Sequence, residues 1–189
     1  SMTGDSGLDP RVERSRRVIG EAALDLLAEQ GYGALTIEGV AKRAGVGKAT
    51  IYRHWSSKLE LVGDAIATLK PPVVPIDPDE SVTDQVRVYL RSLRGLLAEP
   101  RWAATLPAIV DAVARHEEVA SWQKRFSEER RQPLVDLLER AIARGELGVT
   151  DSALLADQLV GPLFLRLLLL HQPLDDTAID VLVDQALGL

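Results

Sequence analysis

Cysteine is missing from this chain, which removes disulfides and thiolate metal sites from consideration. Histidine occurs three times at scattered positions, so no zinc site is expected, and neither metal nor cofactor is. Long hydrophobic runs are absent as well. The longest, Leu163 to Leu170, is eight residues and holds Arg166, against the roughly 20 that a bilayer crossing takes; a soluble chain with no membrane contact is expected. No apolar signal segment opens the sequence, and Ser1 before Met2 reads as a tag-cleavage scar, so residues 1–9 are expected to be a disordered leader and the address cytoplasmic. Catalytic equipment is missing too. No nucleophile-base-acid set, no glycine loop fit to cradle phosphate and no metal cluster is visible, so an enzyme is not expected.

Aromatic residues are only 4% of the chain while hydrophobic residues are 46%. The apolar content is mostly Leu, Ala and Val, a palette of helix formers that predicts an all-α protein. Charge is unevenly placed. The total is -6, yet Arg11 to Lys58 carries nine basic and five acidic residues, a net of +4, and everything after Lys58 carries 13 basic and 21 acidic, a net of -8. A basic head on an acidic body fits a nucleic-acid module joined to a regulatory domain.

Capping residues and periodicity predict about nine helices. Asp9 followed by Pro10 opens the first, whose stripe Ile19, Ala22, Ala23, Leu26, Leu27 ends at Gly31. Thr36 caps a second with Ile37, Val40, Ala41 and Ala44 inward, and Gly45 stops it. A short third segment, Lys48 to Trp55, turns Ile51 and Trp55 inward together. Ser57 and Glu60 form a capping box that starts a fourth helix running to about Lys70. Residues 10–56 are thus read as a DNA-binding domain, 57–70 as a connecting helix, 71–80 with its prolines as a stiff connector, and 81–189 as a helical body. Within that body Val82, Val86, Tyr89, Leu93 and Leu96 make one stripe. Pro107 and Pro133 are expected to bend their helices, and Thr150 or Asp151 to cap the most apolar helix, which reaches about Leu170. The last helix spans Asp175 to Leu187.

Two helices joined by Gly45-Val46-Gly47 match a helix-turn-helix, whose second helix enters the major groove. With Ile51 and Trp55 inward, Lys48, Thr50, Tyr52, Arg53 and His54 point out, and all can donate hydrogen bonds. Lys48 and Arg53 suit base edges, Lys or Arg to guanine being the commonest specific contact, while Tyr52, His54 and Lys58 suit phosphates.

The string Thr36 to Lys58 resembles the DNA-binding domain of the TetR (tetracycline repressor) family. The resemblance rests on Gly31-Tyr32-x-x-Leu35-Thr36, on Val40-Ala41-x-x-Ala44-Gly45-Val46, and on Tyr52-x-His54-Trp55-x-x-Lys58, and it covers about Arg14 to Ile66. It implies that Thr36, Lys48, Thr50, Tyr52, His54 and Lys58 fall at positions that touch DNA. Two residues depart from the pattern: Arg53 stands where many members have an aromatic residue, and Glu38 where some have a base-reading cation. Glu38 suits the positive end of the second helix better than it suits DNA.

One short recognition helix makes too few contacts for specific affinity, so a homodimer reading a palindromic operator in double-stranded DNA is expected. The last two helices are the candidate dimer surface, at Leu159, Leu163, Leu167, Leu170, Val181 and Leu182; the leucine-rich helix also reads as a central core helix. The resemblance points to the same pair of helices and adds a ligand pocket, for a largely apolar small-molecule effector that releases the DNA. The bulky candidates for its wall are Trp102, Leu106, Ile109, Trp122, Phe126 and Phe164, each of which reads equally as plain core. Arg166, among leucines, must pair or reach water, through an acidic ligand or through a carboxylate of its own or a partner chain. The alternative is a DNA-binding regulator without such a ligand, controlled by a protein partner or by abundance.

Overall fold

The computed structural model describes residues 9–69, 77, 79–148 and 150–189. Nearly all of the leader expected at 1–9, and most of the connector expected at 71–80, lie outside the described residues. Among the described residues there are nine α-helices and no strand.

The chain divides into two compact units whose borders differ from those read along the sequence. The first takes everything up to Leu69 together with Ala104–Trp122, and the second takes Lys70–Ala103 and Gln123–Leu189. Helices α6 (Pro100–Arg115) and α7 (Glu117–Ala143) therefore each contribute residues to both units. The body expected over 81–189 gives up the corner between these helices, because the apolar residues of that corner pack with the N-terminal helices rather than with the C-terminal ones. Trp122 shows how tightly. A Cβ on Gly63 would lie 2.6 Å from the Trp122 Nε1, so only glycine fits at that crossing.

In the first unit, α1 (Pro10–Gln30) packs on α2 (Ile37–Ala44) and on α4 (Lys58–Ala67). The caps act as the sequence predicts: Asp9 accepts from the Arg11 N–H, Thr36 Oγ1 from the Gly39 N–H at 3.0 Å, and Ser57 Oγ from the Glu60 N–H at 3.1 Å. Gly45 ends α2 in the left-handed conformation, with φ +70. The capping box is shifted by one residue, since the Glu60 carboxylate takes the Ser56 N–H at 2.8 Å and the Ser56 hydroxyl. The expected stripe of α1 is buried in full, along with Leu35, Val40, Ile51, Trp55, Leu61 and Ile66.

In the second unit, α5 (Val82–Ala98) packs on α9 (Asp176–Leu187) and on α8 (Ser152–Phe164), which Asp151 caps. Leu155, Leu159, Leu163, Val86, Leu90, Leu134, Leu138, Ile179 and Val183 form the core. After Pro162 the helix widens into a π-turn, Leu165–Leu169. Pro162, like Pro107 and Pro133, lies inside its helix without ending it. The α8 segment through Leu169 is apolar enough over 18 residues to span a bilayer by length and composition alone. Its stripe at Leu155, Ala156, Leu159 and Leu163 is buried in protein, and the exposed Asp157 of the same segment pairs with Arg131.

An ion-pair ladder clamps α5 to α9. Arg87 reaches Asp184 at 2.9 Å and Asp180 at 3.1 Å, Arg91 reaches Asp180 at 3.1 Å, and Arg94 reaches Asp176 at 2.7 Å. Rising arginine numbers meet falling aspartate numbers, so the two helices run antiparallel. The Arg94 guanidinium, donating to Asp176, holds that carboxyl below its usual range. A depressed folded-state pKa gives stability that is present above the unfolded value of about 4 and lost as pH falls through the folded value. Asp176→Asn is therefore expected to flatten the loss of melting temperature on acidification below about pH 4, followed by thermal melts in a pH series.

Candidate nucleic-acid interface

The recognition segment is a five-residue helix, α3 (Lys48–Tyr52). It is shorter than the Lys48 to Trp55 span expected, because the His54 N–H bonds back only three residues, to Ile51 O at 3.0 Å, and tightens the last turn. Arg53 and His54 therefore sit in the turn that follows the helix. A helix this short has almost no intrinsic stability. What holds it is on its inner side: Ile51 and Trp55 are buried, and the Trp55 Nε1 donates to Asp64 Oδ2 of α4 at 3.0 Å. The same oxygen lies 3.3 Å from Arg16 Nη2 of α1, whose guanidinium stands over the Trp55 ring at 5.4 Å. One carboxylate thus ties the recognition segment to two flanking helices.

With the inner side fixed, Lys48, Tyr52 and Arg53 are exposed, Tyr52 at 52%, while Thr50 and His54 are half-buried. His54 leans edge-on against Trp55, with ring centroids 5.5 Å apart, and Arg53 Nη2 lies 3.4 Å from Thr50 Oγ1. Two side chains are already engaged in ways that spacing did not reveal. Lys48 Nζ donates to Glu38 Oε1 across the turn at 2.6 Å, which lowers the Glu38 carboxyl and raises the Lys48 ammonium. Lys58 Nζ donates to Tyr32 O at 2.7 Å and Leu35 O at 3.1 Å, lies 4.1 Å from the centre of the Tyr32 ring, and is pushed below its usual pKa by burial. Lys58 therefore closes the loop between α1 and α2. Of its three protons, one is left over for a phosphate.

The residues named for a ligand pocket do not converge. Ile109 and Trp122 line a cavity of about 10 Å³ in the first unit, with Leu27, Tyr32, Val62 and Ile66, room for one water at most. Leu106 belongs to the same unit and is half-buried. In the second unit Trp102 and Phe126 flank Arg130, Phe164 is half-buried on α8, and Arg166 is exposed on the π-turn, where its charge is open to water. A larger cavity there, about 70 Å³, is lined by Gln85, Leu137, Arg140, Arg144 and Glu146 among others, none of them named from the sequence.

The candidate dimer residues also separate. Leu159 and Leu163 are fully enclosed in the core of their own unit, because the stripe through Leu155 faces inward. Leu167 and Leu182 are half-buried, whereas Leu170 and Val181 are exposed. The outward apolar face passes instead through Leu154, Leu165 and Leu169, the last 71% exposed, with Gly161 between them. Positions 154, 161 and 165 share one helix face, a signal that was present in the sequence but masked by leucines on every side.

Residues 19–65 match the family model described as "Bacterial regulatory proteins, tetR family", and residues 76–186 match "Tetracyclin repressor-like, C-terminal domain". The HTH-type transcriptional regulator YdeS of Bacillus subtilis is 32% identical over 94% of this chain and 90% of its own length. The DNA-binding transcriptional repressor TetR of Mycobacteroides abscessus is 30% identical over 87% of each chain. Among solved structures, the flavonoid-responsive regulator FrrA superposes with a TM-score of 0.74 at 25% identity, over 93% of this chain and 94% of its own.

The engaged side chains give two expectations. Glu38→Gln frees Lys48 from its ion pair and removes a negative charge beside the exposed side of α3, so affinity for any duplex should rise severalfold at low salt; unchanged affinity in binding titrations would show that the Lys48–Glu38 pair does not restrain DNA binding. Lys58→Ala should weaken all sequences alike and also lower folding stability by about 1 kcal/mol, since two loop carbonyls lose their donor. Denaturant melts alongside DNA titrations separate the two losses.

Proposed function

The chain belongs to the tetR family of bacterial regulatory proteins, and on that premise we propose that it is a cytoplasmic homodimeric repressor that binds a palindromic operator and is released by a small-molecule effector. The observation that carries the reading is the exposure of Lys48, Tyr52 and Arg53 on one short segment whose other side is pinned through Ile51, Trp55 and Asp64. In this reading Lys48 and Arg53 read base edges, and Thr36, Thr50, Tyr52, His54 and Lys58 set the register on the backbone. Two copies are required, because five helical residues span too little of a groove for specific affinity. The exposed leucines at 154, 165 and 169, with Val181 on α9, offer the apolar area on which the two copies meet.

Release follows from connectivity. Helices α6 and α7 each run from one compact unit into the other, so a ligand that repacks the C-terminal unit pulls on residues that belong to the DNA-binding one. The effector acts by preferring the conformation with mismatched half-site spacing, and each tenfold loss of operator affinity takes about 1.4 kcal/mol of such preference. A repressor and a flavonoid-responsive regulator among the similar proteins support both halves of the reading. Selection of duplexes from a random pool by the purified protein should enrich an inverted repeat; recovery of no motif, or of a single unrepeated one, contradicts dimeric readout.

A further inference from the structure

Five buried side-chain nitrogen and oxygen atoms make no hydrogen bond among the described residues: Arg87 Nε, Arg91 Nε, Trp102 Nε1, Gln123 Oε1 and Arg130 Nη2. The first two lie 3.1 Å from Asp180 and 3.5 Å from Asp176, so the ladder between α5 and α9 accounts for them. The other three lie on α6 and α7, and no part of the fold or of the DNA-binding surface uses them.

Arg130 is the centre of this group. Its guanidinium carbon is 4.7 Å from the Phe126 ring centre and 5.9 Å from that of Trp102, while the Tyr89 hydroxyl donates to its backbone carbonyl at 3.3 Å. Gln123, Phe126 and Arg130 fall at i, i+3 and i+7, on one face of α7. In the same unit Arg87, Arg91, Arg94 and Arg131 each pair with aspartate. Arg130 pairs with no carboxylate among the described residues, and burial pushes its pKa down with only the Tyr89 hydroxyl opposing. A guanidinium does not give up its proton in a protein. Arg130 is half-buried, but its Nη2 is shut from water with no acceptor; a buried donor left unmet is costly, and an indole N–H left unbonded beside it adds to that cost. Such uncompensated groups gather where a ligand supplies the missing partner. For Arg130 and Trp102 the missing partner is an acceptor with negative charge, and the surroundings are two aromatic rings; Gln123 Oε1, itself an acceptor, is not met by that partner.

We propose that Arg130 is the anion anchor of the effector site, and that the effector is a small organic acid whose carboxylate accepts from Arg130 Nη2 and Trp102 Nε1 while its apolar body lies against Phe126. The inference rests on the reading of the chain as ligand-responsive and narrows it from any apolar compound to an acidic one. It also gives an acid-binding role, one of the readings left open for Arg166, to an arginine whose helical spacing gave no sign of it.

The test titrates the full-length protein by calorimetry with 3-phenylpropanoate and with decanoate, each beside its own neutral primary amide. At least one acid should bind tenfold or more tighter than its amide, about the value of a charge-assisted hydrogen bond. Trp102→Phe, which keeps a ring and loses the N–H, should weaken that acid several-fold and its amide, a neutral acceptor, less, and Arg130→Gln should abolish the preference. Arg130→Lys, which keeps the charge and loses the fork, should retain part of it. Operator affinity without probe should be the same in all variants. Acids that bind no better than amides, or a preference that survives both Trp102→Phe and Arg130→Gln, overturn the proposal. Operator titrations with probe present separate it from the broader reading. If a neutral compound releases the operator while acids show no preference, ligand response stands and the acid site falls; if the acid binds as described and the operator is still held, the site stands and ligand response falls.

Discussion

A five-residue helix cannot hold itself together, and the rest of this protein can be understood from how that problem is met. Helix nucleation is unfavourable, and a single turn gains too few hydrogen bonds to offset the ordering of its backbone. Here α3 is ordered from below, by burial of Ile51 and Trp55 and by the hydrogen bond from Trp55 to Asp64. Because Asp64 also holds Arg16, the recognition segment is tied to α1 as well as to α4. Every outward side chain inherits that rigidity, which is what groove reading requires. The arrangement keeps Lys48, Tyr52 and Arg53 on the exposed side, with Lys48 held by its contact to Glu38.

Charge is handled differently on the two units. The basic segment keeps several of its cations partly committed: Lys48 to Glu38, Arg43 to Glu29 at 2.7 Å, and Lys58 to two carbonyls. Those contacts must loosen or be shared when phosphates approach, so the net charge of the segment overstates its attraction for DNA. In the acidic unit the arginines are spent on α5 and α9, where a run of aspartates on one helix meets a run of arginines on the other. Arg130 stands apart from this pattern and faces aromatic rings.

Much of the first unit could be read from the chain alone, because its signals are local. Asp9, Thr36 and Ser57 cap the helices they precede, Gly45 makes the turn, and the apolar stripe of α1 is the buried one. Signals that depend on remote partners could not be read in this way. Periodicity says which face of a helix is buried and is silent on what lies against it. It therefore gave no hint that residues 104–122 group with the N-terminal helices, or that Lys58 would turn back to Tyr32 and Leu35. In α8 the signal was saturated. Leucines all round left no contrast between the inward stripe of Leu155, Leu159 and Leu163 and the outward face of Leu154 and Leu165, so the sequence could not separate the core reading of Leu159 and Leu163, which their burial favours, from the dimer-surface one.

The central claim is that one pinned recognition segment is insufficient and that two copies read DNA together. Its most direct test is the stoichiometry and affinity of the protein on a short duplex bearing its preferred inverted repeat, compared with the same duplex in which one half is scrambled. The account predicts two chains per intact duplex and loss of most of the specific affinity when either half is scrambled. A single chain bound to one half-site with undiminished affinity would contradict it.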